Sequence, residues 1–187
     1  MEKKTFHYTA TPLAIPDVVM LTPRIWPDDR GFFMENYTKK EFEELGLGVE
    51  FVQDNTVRST KGILRGMHAT KSPHTQVKLV RCLEGEIFDV AVDARKNSPT
   101  YGQWVGAHLT AEGMEMLYVP AGFLHGYQVL SDKSLVHYKQ SDYYFPDLDL
   151  GMRYDDPLVG IDWPLKEAIV NERDKTWPDF GAIDYGF

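Results

Sequence analysis

Residues 77–93 commit this chain to a sheet. Val77-Lys78-Leu79-Val80-Arg81-Cys82-Leu83 reads as one strand, Glu84-Gly85 as a turn, and Glu86-Ile87-Phe88-Asp89-Val90-Ala91-Val92-Asp93 as a returning strand of a hairpin. Phe88, Val90 and Val92 recur at every second position, with Asp89 and Asp93 on the other face, which is the period of a strand. Gly and Pro, 15 and 11 in number, punctuate the rest of the chain at short intervals. That spacing, without an internal repeat or a low-complexity linker, is the pattern of an all-β sandwich or barrel. Further strands are expected over 17–22, 50–54, 104–109, 115–119, 125–130 and 134–139. Ten Tyr, ten Phe and four Trp suit sheet faces better than a helical bundle.

Helical signals are few. Thr38-Lys39-Lys40-Glu41 has the capping-box pattern, Phe42 and Leu45 supply an apolar face, and Gly46 stops the helix. A second, weaker helical pattern covers 165–171. The expected architecture is all-β, a jelly-roll barrel with a few short helices. At 187 residues the chain has the length of one domain, 1–187, and can bury a real core.

A net charge of −8 argues against a nucleic-acid partner, which calls for a basic surface. It leaves room for a small anion held by a few clustered Arg and Lys. No apolar run approaches the ~20 residues of a membrane helix. Met1-Glu2-Lys3-Lys4 has no apolar stretch behind it, so no signal peptide is expected. The single Cys82 excludes an internal disulfide and fits a reducing cytoplasm.

The chemistry-bearing residues cluster around Leu64-Arg65-Gly66-Met67-His68, with Phe51-Val52-Gln53-Asp54-Asn55 upstream and Lys78 downstream. A lone His in a strand is more often structural than catalytic. Here Gly62 and Gly66 allow close backbone approach, and Arg65 carries a charge that is costly to bury without an anion. Together these groups are equipment for holding a phosphorylated or carbonyl substrate and moving a proton on it. Pro120-Ala121-Gly122-Phe123-Leu124-His125 matches the later motif of cupin barrels. The earlier, metal-binding motif is degenerate, because Thr70 stands where its second His belongs and no Glu follows in register. His74 and Glu86 are the residues left to complete a metal set, and a site normally uses three or more protein ligands. Arg30-Gly31-Phe32-Phe33-Met34-Glu35 reads either as a surface Arg beside a buried Phe pair or as an Arg on a diphosphate beside a Phe that stacks on a base. Tyr138 on its own reads as a core or rim filler, and Asn171-Glu172-Arg173-Asp174 as a solvated charge run.

Taken in order, these motifs resemble the dTDP-4-dehydrorhamnose 3,5-epimerase family. The likeness runs from about residue 14 to 178, through the segments just quoted and on to Tyr138-Lys139, Asp155-Asp156-Pro157 and Gly160-Ile161-Asp162-Trp163-Pro164. The resemblance implies a cupin-like β-barrel that forms a homodimer and needs no metal and no organic cofactor. It implies a nucleotide-diphosphate ketosugar as substrate, dTDP-4-dehydro-6-deoxy-D-glucose, inverted at C3 and C5. It casts His68 as the base, Asp174 as its partner, Tyr138 as the acid on the opposite face and Lys78 as the cation near the C4 carbonyl. Arg30, Glu35, Gln53, Asn55, Arg65 and His125 fall at substrate-contacting positions, with Asp149 and Arg173 as further contacts. His68-Ala69-Thr70 and Thr75-Gln76-Val77-Lys78 depart from the family's usual wording beside the sugar pocket. Three alternatives stay open: inversion of one centre only on a related ketosugar, a metal-dependent cupin enzyme using His68, His74 and His125, and a non-catalytic carbohydrate-binding barrel.

Overall fold

The computed structural model describes residues 1–187, and its strands form two antiparallel sheets that face each other. The strands are β1 (Lys3–Lys4), β2 (Tyr8–Pro12), β3 (Val19–Pro23), β4 (Trp26–Asp28), β5 (Gly31–Phe33), β6 (Gln53–Thr60), β7 (Leu64–Thr70), β8 (Lys78–Glu84), β9 (Glu86–Asp93), β10 (Trp104–Thr110), β11 (Met116–Val119), β12 (Phe123–Val129), β13 (Lys133–Gln140) and β14 (Asp149–Gly151). Two helices, α1 (Lys39–Leu45) and α2 (Glu172–Lys175), complete the set. One sheet has the order β1-β2-β3-β11-β8-β13-β6 and the other β10-β9-β12-β7-β14, while β4 and β5 pair only with each other. This is the cupin-like jelly roll expected from the sequence.

The expected hairpin at 77–93 is instead a corner. β8 pairs with β11 and β13, and β9 pairs with β10 and β12, so the two strands belong to opposite sheets. Gly85 makes the corner with φ +79°, and a Cβ there would lie 2.1 Å from the Lys133 carbonyl oxygen. Alternation has the same period in a hairpin and in two strands that face each other, so the pattern alone does not separate them.

Burial follows in three layers. Between the sheets, Val80 and Cys82 of β8 meet Ala91 of β9, Leu117 of β11, Val129 of β12 and Val136 of β13. Each Val or Leu among them contributes roughly 1.5–3 kcal/mol by leaving water. Phe88, Val90 and Val92 do share one face, and it points outward, where Met152, Trp163 and Tyr185 of the C-terminal segment cover it. On the outer face of the larger sheet, Phe42 and Leu45 of α1 cover Leu21, Leu79 and Tyr118.

Two local expectations are corrected. Thr38 makes no capping bond to α1, since its hydroxyl donates to Glu35 and Glu41 accepts from the His7 backbone N–H instead; Gly46 ends the helix in the left-handed region, φ 81°. Residues 165–171 form no helix. Their backbone is taken up by tertiary partners: Leu165 N–H donates to Gln128 Oε1, and Ile169 exchanges hydrogen bonds with Gly62 and Leu64. The helix begins only at Glu172, behind Asn171.

Candidate active site

The interior between the sheets is apolar at one end and polar at the other. At the polar end lies a cavity of about 190 Å³ lined by Arg65, His68, Lys78, His125, Tyr138 and Arg173, among others. Simple alternation would put Arg65 and His68, three residues apart, on opposite faces of β7. A bulge prevents it. Arg65 pairs with Tyr127 and His68 with His125, so three steps along β7 match two along β12. Gly66 carries the irregularity at φ +130°, and a Cβ there would sit 2.5 Å from Gly126 Cα. Only glycine fits, and the result is a guanidinium and an imidazole on one inward surface.

His68 is held from behind by α2. Its Nε2 lies 2.7 Å from Asp174 Oδ1, and Asp174 is wholly buried. The carboxylate is placed by the start of the short helix, where Asn171 Oδ1 accepts from the Asp174 backbone N–H at 2.7 Å. Burial alone would raise the Asp174 carboxyl; the hydrogen bond and charge of His68, the Gly66 N–H and the nearby Arg173 outweigh it and hold the group below its ordinary range. An ionised Asp174 fixes the imidazole proton on Nε2. Nδ1 then carries the lone pair and has no protein partner. Arg173 donates to Asp149 Oδ2 at 2.6 Å and to Asp174 Oδ1 at 3.2 Å. Its Nη2 also lies 3.0 Å from His68 Nε2, but both atoms then bear protons, so the shared carboxylate carries that approach.

Across the cavity, β8 and β13 present Lys78 and Tyr138. Burial pulls the Lys78 ammonium down to about 8, against the pull of Asp149 and Asp89. Burial raises the Tyr138 phenol, with Arg65 opposing, so it keeps its proton at neutral pH. Arg65 is steadied by the bond from its Nε to Ser59 Oγ, 3.1 Å. The arrangement offers an oriented imidazole base, an ammonium and a protonated phenol around one space, which is the equipment for proton abstraction beside a carbonyl.

The family profile described as dTDP-4-dehydrorhamnose 3,5-epimerase matches residues 12–182. The chain belongs to this family. The curated dTDP-4-dehydrorhamnose 3,5-epimerase of Shigella flexneri is 47% identical over 172 residues, covering 91% of this chain and 95% of its own. That of Pseudomonas aeruginosa is 48% identical over 177 residues, covering 94% and 97%. Among solved structures, the dTDP-6-deoxy-D-glucose-3,5-epimerase of Legionella pneumophila, in complex with dTDP-4-keto-L-rhamnose, superposes with a TM-score of 0.91 at 44% identity, covering 95% of each chain.

Of the residues that the resemblance to this epimerase family marked, His68, Asp174, Tyr138, Lys78, Arg65, His125 and Arg173 line the cavity. Asp149 joins through Arg173. Gln53 and Asn55 do not line it; they lie on the same face of β6 as Val57, which does. There they form an amide cluster with Gln140, whose Oε1 accepts from Asn55 at 2.7 Å and from Gln53 at 3.1 Å. Arg30 and Glu35 are elsewhere. The Arg30 side chain is 86% exposed and paired with Asp28. Glu35 lies beside His7 and Thr38. Phe32 and Phe33 are both exposed, so the reading of a buried Phe pair beside a surface Arg does not hold.

Two residues that line the cavity, and one that reaches it through His125, were not marked as site residues in the sequence. Asp89, wholly buried on β9, lies 2.5 Å from His125 Nε2 and makes a second imidazole–carboxylate pair. A carboxylate inside an otherwise apolar strand was the available signal. Tyr127 and Asn171 line the cavity themselves, and no pattern distinguished them. The histidines of the metal reading do not converge. His68 is bonded to Asp174, His125 to Asp89, and His74 to Asp142 at 2.9 Å while stacked on Phe145; Glu86 is engaged with His108. No group of three or more His, Cys, Asp or Glu is placed to hold a metal ion.

Proposed function

We propose that this protein is a nucleotide-sugar epimerase that inverts C3 and C5 of dTDP-4-dehydro-6-deoxy-D-glucose to give dTDP-4-dehydro-L-rhamnose. The observation that carries the reading is the oriented His68–Asp174 pair facing Lys78 and Tyr138 across one cavity, in a chain of the epimerase family.

A C–H beside a ketone is a very weak acid, so removal of its proton demands a stabilised enolate. His68 Nδ1 takes the proton, and the buried Asp174 carboxylate stabilises the imidazolium that forms. Lys78 faces the developing negative charge on the C4 oxygen, where one such donor is worth about 3 kcal/mol. Inversion then needs a proton on the opposite face, and Tyr138 supplies it from a phenol held neutral by burial. C3 and C5 both flank the C4 carbonyl, so the same enolate chemistry serves each. Arg65 and His125 hold the sugar at the cavity wall, with Gln53 and Asn55 further along the same face of β6. Binding energy from the nucleoside diphosphate keeps the ring in reacting geometry.

A homodimer accounts for Arg30 and Glu35. Arg30 sits at the turn of the exposed β4–β5 hairpin, and the segment that follows it, with Glu35, runs to the outer face of the larger sheet, where Asn36 accepts from Arg81, away from the interior cavity. Exposed Phe32 and Phe33 beside Arg30 suit the base and diphosphate of a nucleotide bound in a second copy's cavity. The chain 1–187 acts as one domain, and the lone, buried Cys82 suits a reducing cytoplasm. No helix is long and apolar enough to cross a membrane.

The test is incubation with the ketosugar nucleotide in heavy water. Deuterium at both C3 and C5 supports the double epimerase, and deuterium at one carbon replaces it with the single-centre reading. No incorporation at either carbon refutes the assignment.

A further inference from the structure

His68 has a third neighbour that the mechanism above does not use. The Trp177 indole stands edge-on to the imidazole, with ring centroids 6.1 Å apart and planes at 65°. It reaches that place because of a glycine. Gly151 of β14 is the residue paired with His68 across the strand register. A Cβ at Gly151 would lie 2.8 Å from the indole ring and 2.5 Å from the Met67 carbonyl oxygen, so any other residue there expels the ring. The indole N–H is buried without a hydrogen-bond partner, so packing alone seats it. The Arg173 guanidinium sits 5.8 Å from the same ring's centroid. Trp177 follows Asp174 by three residues, so one short segment delivers the carboxylate to His68 Nε2 and then closes the imidazole's flank with an apolar wall.

We propose that Trp177 is a positioning residue for the base: its indole walls off the Nε2–H···Asp174 hydrogen bond and fixes the ring plane so that Nδ1 faces the cavity. A charge-assisted bond is weakened when water competes for it, and a histidine free to rotate or to move its proton to Nδ1 is no longer a base. The proposal rests on the epimerase reading for its kinetic arm only.

The test uses Trp177→Leu and, because a bulky change can unsettle the tail, Trp177→Phe, which keeps an aromatic wall. In the full-length protein, nitrogen-15 NMR of the histidine side chains reports the His68 tautomer, assigned by its absence in His68→Asn. The expected result is a fixed Nε2–H form in the parent, a mixture in Trp177→Leu, and near-parental behaviour in Trp177→Phe. With the ketosugar nucleotide, kcat of Trp177→Leu falls by roughly 10–100-fold, on the scale of a small misplacement of a reacting group, while KM stays within about 3-fold. A parental tautomer in Trp177→Leu overturns the proposal, whether kcat is unchanged or falls only in step with thermal stability. The NMR arm needs no substrate, so an inactive parent enzyme overturns the reaction assignment and leaves this arm readable.

Discussion

Replacing Asp174 by Asn removes one charge and almost no volume. In the parent the carboxylate oxygen is 2.7 Å from His68 Nε2, which puts the charge centres of the imidazolium–carboxylate pair about 4 Å apart. At an effective dielectric constant of ~20, such a pair is worth about 4 kcal/mol. The attraction exists only after His68 has taken the substrate's proton, so its loss falls on the transition state and not on substrate binding. The amide keeps a neutral hydrogen bond to the ring, which offsets part of the loss. Asp174→Asn should therefore lower kcat by about 10²–10³-fold with KM nearly unchanged. An amide that donates to Nε2 would force the ring proton onto Nδ1, and the loss then approaches ~10⁴-fold, as in triads with the equivalent change. The assay is NMR of deuterium entry at C3 and C5 in heavy water, with dTDP binding and thermal melting as controls for the fold. A variant within about 3-fold of parental kcat, properly folded, would refute the view that the buried carboxylate drives proton abstraction.

The same site makes three further predictions. Lys78 must be cationic to receive the enolate, and a lysine loses its charge as pH rises through its pKa, so kcat/KM should decline above about pH 8, with Lys78→Met flat and low across the range. In Tyr138→Phe the base still exchanges the proton but nothing protonates the opposite face. Deuterium should then enter substrate with retention while inversion falls by about 10²–10⁴-fold, and equal loss of both would contradict the assignment of roles. If the partner's hairpin completes each cavity, Arg30→Ala and His68→Asn are each inactive alone, and a mixture dissociated and reassociated regains about a quarter of parental activity, because half the dimers are mixed and each has one intact site. No recovery on mixing would place Arg30 outside the functional site.

The sequence was informative where one residue's neighbours decide the outcome. β8, β9, β10, β11 and β13 fall at the expected places because alternation, β-branched residues and flanking turns all agree there. It was less informative where distant groups decide. Residues 165–171 carry a helical pattern, yet Gln128, Gly62 and Leu64 capture their backbone. β8 and β9 read as a hairpin because alternation does not record which sheet a strand joins. In the site, the likeness to the epimerases named the base, its carboxylate and the lysine, whereas composition saw in Asp174 only part of a charge run. The bulge that turns Arg65 and His68 to one side depends on Gly66 meeting Gly126 across the sheet, a contact between residues far apart in the chain. Asp89 and Trp177 were missed for the same reason, since each matters only through the imidazole it meets.

The central claim is that His68 Nδ1 removes hydrogen from carbon. It is tested most directly by following deuterium entry at C3 and C5 in parent and His68→Asn protein side by side, at equal concentration and with equal dTDP affinity. The account predicts exchange in the parent and none above the buffer rate in the variant. Exchange in His68→Asn at a rate near the parent's would contradict it.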